Sequence, residues 1–313
     1  MTKYTKFDSL INSIKSEKKI KPKSLISTIY GDLAEPFGGD VWVDILTELL
    51  EPIGINNRLV RTSLFRLVEE GWLQSTRQGR KSFYSLTSLG SSQTRLAERL
   101  IYYRQPRVWN GSWTLVFLVM KPVDVEARSQ LEQELSWVGF GKISHHVWGH
   151  PCIDSKIVIE RIKELNLEDK VVCMQCENMQ HMSYDLKLTD RDLAVACLPL
   201  DSIHQSYINF IETFGDIPKW LDSLNDSQAM TIRIILIDQY RKIVLHDPRL
   251  PDELLPANWL GKQAYELVTI IYNELRLQTD SAFKRLFESS GELLNHSRYP
   301  EFEARFSKSS KAQ

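Results

Sequence analysis

Between Asn56 and Gly71 the hydrophobic and polar positions recur with the period of an α-helix. Val60, Ser63, Leu64, Leu67 and Val68 fall at i, i+3, i+4, i+7 and i+8 and form one small, largely apolar face. Arg58, Arg61, Thr62 and Arg66 fall on the other side. Asn56 can cap the first turn by accepting from a free backbone N–H, and Gly71 ends the helix because glycine takes the left-handed conformation most easily. The period then shortens. Leu73 to Thr76 and Ser82 to Leu86 read as two strands joined by Arg77, Gln78, Gly79, Arg80 and Lys81, with a glycine turn and three cations at the tip. Val41 to Leu50 predicts a supporting helix, with Pro52 and Gly54 in the turn that follows. Helix, turn, basic helix and basic hairpin, in that order, is the layout of a winged helix-turn-helix. Ser91 to Tyr103 reads as a connecting helix, and Pro106 and Gly111 break the pattern.

From Ser112 strands and helices alternate. Trp113 to Val119 is a strand, Asp124 to Val138 a helix, Ile143 to Trp148 a strand, Asp154 to Leu165 a helix and Lys170 to Cys176 a strand. This order predicts a ferredoxin-like α+β domain with one weak strand still unplaced. From about Arg191 the signal is helical. Ile203 to Phe214 forms one helix, and Ser227 to Leu245 runs 19 residues without a breaker, too long for a strand. Arg233 lies inside that apolar run, and a buried guanidinium requires an anionic or carbonyl partner, from the protein or a ligand. A turn-rich stretch with Pro248, Pro251 and Pro256 precedes a last long helix striped by Ala264, Leu267, Val268, Ile271 and Leu275. The expected fold class is multidomain α+β. Residues 1–23 form a flexible basic leader, 24–108 a winged helix-turn-helix with its connecting helix, 109–185 the ferredoxin-like domain, 186–300 an all-α C-terminal effector or dimerisation domain, and 301–313 a tail.

Charge changes this picture more than composition does. At 42% hydrophobic and 25% charged, the 313 residues are ordinary for a folded protein. The formal net charge of −1 conceals an asymmetry. Residues 1–110 carry 17 Lys and Arg against 11 Asp and Glu, a net of +6, and the remainder carries −7. A basic first third on an acidic remainder is expected if one end meets phosphate. The longest strongly apolar run, Leu115 to Met120, is far short of the ~20 residues that span a bilayer. The Lys-rich N-terminus lacks the apolar segment of a secretory signal and reads as a basic arm or a solvated leader. The expected compartment is the reducing cytoplasm, with no membrane partner.

Four cysteines and a histidine cluster raise the question of metal. Cys173 and Cys176 form a C-x-x-C, but no second pair completes a zinc set, and on a strand residues three apart point to opposite faces. Cys152 and Cys197 stand alone. His146 and His150 would share a strand face, ~13 Å apart, too far for one ion. Neither a metal nor a cofactor is expected.

Four blocks together resemble the PaaX family of bacterial repressors of phenylacetate-degradation operons. They are LISTIYGDLAEPFGGDVW (Leu25 to Trp42), GINNRLVRTSLFRLVEEGWL (Gly54 to Leu73), RQGRKSFYSLT (Arg77 to Thr87) and YRKIVLHDPRLPDELLPANWLG (Tyr240 to Gly261). The resemblance runs from about Leu25 to Leu275; it is looser in the middle, and the stretch after Leu277 departs from the family pattern. It implies a homodimer that binds a palindromic double-stranded operator and is released by phenylacetyl-CoA, and it implies no enzymatic activity. Carried onto this chain, it puts Asn57, Arg58, Arg61, Thr62 and Arg66 on a recognition helix and Arg77, Gln78, Arg80 and Lys81 on the wing. An acyl-CoA site would pair cations with aromatic walls, for which Arg233, Arg241, Lys242, Arg249, Trp259 and Lys262 are the candidates.

Two other readings stand beside this one. The ferredoxin-like domain is similar to the small nuclease subunit of CRISPR adaptation, which would need acidic residues at a strand end to hold Mg²⁺. Here the first strand ends in Val119-Met120-Lys121-Pro122, with Asp124 only entering the next helix. The third reading is a DNA-binding scaffold without an effector.

Overall fold

The structure is a computed structural model, and it describes residues 5–16, 20–78, 81–104, 107–119, 125–153, 155–177, 189–289 and 302–307. The chain divides into two compact units. One comprises 1–104, 207–245 and 262–313, and the other 105–206 and 246–261. This division cuts across the linear one expected from the sequence, because N- and C-terminal segments share a unit.

In the larger unit, α1 (Lys6–Ser16) buries Ile11 and Ile14, so part of the expected leader is an ordered amphipathic helix. The winged-helix elements follow in order: α2 (Pro22–Ile29), β1 (Val41–Trp42), α3 (Val43–Leu50), α4 (Asn57–Glu69), β2 (Leu73–Gln78) and β3 (Lys81–Leu86). Pro22 sits in the first turn of α2, where its missing N–H costs nothing. The residues Val41 and Trp42, expected to open the supporting helix, instead pair antiparallel with Tyr84 and Phe83. They complete a three-stranded sheet in the order β1-β3-β2. Next come α5 (Ser88–Tyr102), the greater part of α9 (Leu200–Phe214), α10 (Asp226–Val244) and α11 (Gly261–Ser289). Helix α10 is buried over most of its circumference, from Ala229 through Asp238, as expected of a central helix. Its Ile232, Ile234 and Leu236 and the Leu25, Ile26 and Ile29 of α2 are inaccessible to solvent.

The smaller unit is the ferredoxin-like domain. Its elements are β4 (Ser112–Leu118), α6 (Val125–Trp137), β5 (Gly141–Ser144), β6 (Val147–His150), α7 (Ser155–Glu164) and β7 (Val171–Glu177), with strand order β5-β6-β4-β7 and antiparallel pairing throughout. The strand that periodicity left unplaced lies inside the run Ile143 to Trp148, which is a hairpin turning at His145 and His146. One sheet face packs Val116 and Trp148 against Leu131 and Leu135 of α6 and Val158 and Ile162 of α7. The other face packs Trp113 and Leu115 against Ala194 of α8 (Asp190–Cys197), Leu198, Leu200, Leu250, Leu254 and Leu255. The proline-rich turn therefore joins this unit by covering its second face. The indole N–H of Trp113 donates to Asp190 at 2.9 Å.

Candidate nucleic-acid interface

The caps of α4 are local chemistry. Asn56 has extended backbone, and its side-chain oxygen accepts from the Leu59 N–H at 3.0 Å. At the other end Gly71 has φ +68°. The N–H groups of Gly71 and Trp72 then reach back to the carbonyls of Val68 and Leu67, both at 2.9 Å. Val60, Ser63, Leu64 and Leu67 are buried, which leaves Arg58, Arg61, Thr62 and Arg66 exposed on the outward side.

Of the five helix residues proposed to meet DNA, Asn57 has its amide engaged within the protein. It donates to Thr47 Oγ1 of α3 at 3.1 Å and accepts from Arg61 Nε at 2.6 Å. Thr47 in turn donates to the Val43 carbonyl at 2.9 Å. The supporting helix thus aims a guanidinium of the next helix through a chain of three hydrogen bonds. Thr62 donates to the Arg58 carbonyl at 2.9 Å.

The wing is longer and its loop tighter than the sequence predicts. Strands β2 and β3 pair in register from Leu73 with Leu86 to Gln78 with Lys81. Arg77 therefore lies on a strand opposite Ser82, exposed, rather than in the tip. Arg80 lies outside the described residues, as do the side chains of Gln78 and Lys81. Helix α5 anchors the base of the wing. Thr87 caps it by accepting from the Gly90 N–H at 3.1 Å and donates to the Gly71 carbonyl at 2.6 Å. A Cβ on Gly90 would meet the Trp72 carbonyl at 2.2 Å, so only glycine fits that approach.

Three family models match this chain in sequence order. PaaX-like protein matches residues 21–90, PaaX protein central Cas2-like domain 106–187 and PaaX-like protein C-terminal domain 198–285. Transcriptional repressor PaaX of Escherichia coli (strain K12) is 35% identical over 275 residues, 87% of this chain and 85% of that protein. The chain belongs to the PaaX family. A solved structure, uncharacterized protein Rv0674 from Mycobacterium tuberculosis, aligns with a TM-score of 0.49 at 20% identity over 77% of this chain and 90% of that one. The family's N-terminal match covers α2 through the wing, and its central match contains the ferredoxin-like strands.

The candidate effector residues do not form one cluster within either unit. Arg233 is 2% exposed and fully occupied by protein. It donates to Asp32 Oδ2 at 2.7 Å, Asp280 Oδ1 at 2.6 Å, Thr279 Oγ1 at 2.7 Å and Tyr272 Oη at 3.0 Å. Of the two kinds of partner that its burial required, protein or ligand, the protein supplies these four. Arg241 donates to Thr28 at 3.3 Å, and burial lowers the pKa of its guanidinium. Lys242 pairs with the fully buried Asp238, which also accepts from Ser24 of α2 at 2.5 Å. Lys262 lies 4.0 Å from Glu266 on the surface of α11. In the smaller unit, Trp259 stacks on His204 with ring centroids 5.7 Å apart, and the Arg249 N–H donates to Asp247 at 2.7 Å.

Two residues that periodicity could not single out organise this part of the larger unit. Asp32 lies where the helix after α2 widens over Tyr30–Ala34. It accepts from Arg233 and from Tyr102 at 2.7 Å. Arg305, in the segment expected to be a tail, is 1% exposed and donates to the Asp32 carbonyl at 2.9 Å and the Gly31 carbonyl at 2.8 Å. Burial raises the pKa of the Asp32 carboxyl, but the charges of Arg233 and Arg305 outweigh it and hold the value below the usual one. Phe306 fills a socket of Tyr102, Tyr240, Tyr265 and Tyr272. A separate cavity of about 280 Å³ lies among Leu49 of α3, Pro52 of the turn, Met230 and Thr231 of α10, and Ala282 and Leu286 of α11. None of the predicted effector residues lines it.

Cys173 and Cys176 point to opposite faces of the ferredoxin-like sheet, one toward each core, as their spacing on a strand requires. His145 and His146 are exposed at the hairpin turn. His150 is buried, and its Nδ1 accepts from the Cys152 N–H at 3.0 Å. Among the described residues no group of three or more potential ligands is placed to hold a metal ion.

Proposed function

We propose that this chain is a transcriptional repressor of phenylacetate catabolism that binds a palindromic operator as a homodimer and is released by phenylacetyl-CoA. The observation that carries the reading is the outward face of α4, where Arg58, Arg61 and Arg66 stand exposed beside a wing, in a family whose Escherichia coli relative is named a transcriptional repressor. Arginines on such a helix read guanine edges in the major groove, while wing cations hold phosphates. Two copies would address half-sites ~34–36 Å apart, or a multiple of that distance.

Release requires the ligand to favour the DNA-free form, because equal affinity for both forms shifts nothing. The cavity against α3 suits the acyl end of the effector. At about 280 Å³ it is just below the ~300 Å³ where drug-sized pockets begin, and its buried walls include Leu49 and Met230. A ligand there would press on the helix that carries Thr47, and so on the aim of Arg61.

The test is fluorescence anisotropy of a labelled duplex from the chain's own promoter region, titrated with phenylacetyl-CoA and with free phenylacetate. We expect tight binding that the thioester abolishes and the free acid leaves intact. Binding indifferent to the thioester removes the effector and leaves a DNA-binding scaffold. Failure to bind specifically at low salt removes the repressor.

A further inference from the structure

The face of α4 that carries the arginines also carries an aromatic ring with no place in a solvated helix. Phe65 is 61% exposed, on a helix whose Val60, Leu64 and Leu67 are nearly inaccessible to solvent. At ~100° per residue, Phe65 lies between Arg58 and Arg61 when viewed down the axis and roughly opposite the buried stripe. It stands one turn beyond Arg61 and Thr62, so it is at the middle of the outward face and not at its margin. Leu59, 44% exposed, lies nearer the boundary with the buried side.

A phenyl ring held in water by a rigid helix loses apolar stabilisation unless a partner covers it. Its neighbours on this face are Arg58, Arg61, Thr62 and the single carboxylate Glu69, with Arg66 at its side, so the face is net cationic. That favours a polyanionic partner, and the major groove offers such a surface one apolar feature, the thymine 5-methyl group. We propose that Phe65 is a specificity residue that packs on a thymine methyl in each half-site, beside the bases read by Arg58 and Arg61. The proposal rests on the DNA-binding reading above and adds a base identity to it: a thymine next to the position Arg61 reads. The alternative partner, a second copy of this chain covering Phe65, is an outcome of the same test.

The experiment starts with the full chain and randomised duplexes, from which the preferred site is selected. Each thymine of that site is then replaced singly by uracil, which removes only the methyl. Affinities are measured for the wild type, Phe65→Ala and Phe65→Leu, with folding checked by thermal melts. We expect one thymine per half-site to respond, with wild-type affinity falling about four-fold per methyl lost. Phe65→Ala should bind the thymine and uracil duplexes alike, and Phe65→Leu should retain part of the difference. Three outcomes overturn the proposal: a flat uracil scan with wild type, an equal methyl response in wild type and Phe65→Ala, or a Phe65→Ala chain that changes oligomeric state by sedimentation while keeping its methyl response. If selection yields no preferred site, the DNA-binding reading fails first and the base assignment with it, so the two failures are distinguishable.

Discussion

Two single residues carry consequences that their neighbours in sequence do not suggest. The Asn57 amide is committed on both sides, to Thr47 and to Arg61, so under the proposed DNA-binding function it acts by holding a guanidinium rather than by touching a base. Asn57→Ala should reduce the preference for operator over unrelated DNA by about 1 kcal/mol, the ordinary net value of such a hydrogen bond. The salt dependence should not change, because no charge that neutralises phosphate is removed. Thr47→Val, which leaves α4 untouched, should shift the preference in the same direction. Unaltered discrimination in both variants would show that Arg61 aims itself. His150 predicts a pH effect. Burial pulls its pKa from 6.5 down to about 4, so the folded state keeps the ring neutral where the unfolded chain takes up a proton. Between those values the unfolded state binds more protons, and stability falls as pH drops from about 6.5 toward 4. From pH 7 to pH 5 this linkage amounts to about 2 kcal/mol. Urea midpoints at the two pH values should therefore move further apart in the wild type than in His150→Gln.

At the scale of elements, α3, α4 and the wing have different parts under the proposed function. Helix α4 is capped by its own ends and packed through one stripe, and its outer face is left exposed. Arg61→Ala should cost about 1–3 kcal/mol at the operator and relax preference at one base position. Arg77→Ala, on the strand of the wing, should weaken all sequences alike and reduce the salt slope by about one. Competition binding against single-base variants of the operator separates the two. A uniform effect from Arg61→Ala would move that residue from base edge to phosphate. The helix itself is legible in the amino-acid sequence, because its caps and stripe depend on residues no more than five apart. The wing is less so. Strand pairing extends the first strand by two residues, to Gln78, and the second by one, to Lys81, and a run that reads as one strand is the hairpin β5–β6.

At the scale of the molecule, the winged helix shares a unit with helices from the other end of the chain. Helix α10 packs on α2, and a buried charge cluster links the same segments. Asp32, beside the first helix of the winged-helix elements, accepts from Arg233, 201 positions away, and Arg305 caps the backbone next to it from 273 positions away. Such clusters add little net stability when whole and cost much when broken, since the remaining charge stays buried. Arg305→Ala leaves the Asp32 and Gly31 carbonyls without their donors and should destabilise the larger unit by about 3–5 kcal/mol. Denaturant melts of the full chain test this. An unchanged midpoint would mean that the Phe302–Ser307 segment rests on the unit without supporting it.

The sequence by itself determined the helix with its caps, the basic face, the presence of a wing and a ferredoxin-like middle, the opposed directions of Cys173 and Cys176, and the family. The family follows from the resemblance of whole blocks of sequence; the others are properties of short windows, or of residue order, and side-chain periodicity and residue type report them directly. Only the tertiary structure decided that Arg233 is paired with protein, that Asn57 holds Arg61, that Phe302, Arg305 and Phe306 are buried, and that the proline-rich turn covers a sheet face. Each of these depends on which distant groups share a buried volume. A guanidinium or carboxylate has the same local sequence signature whether it meets water, a ligand or another side chain, so its partner becomes known only when the chain is folded around it.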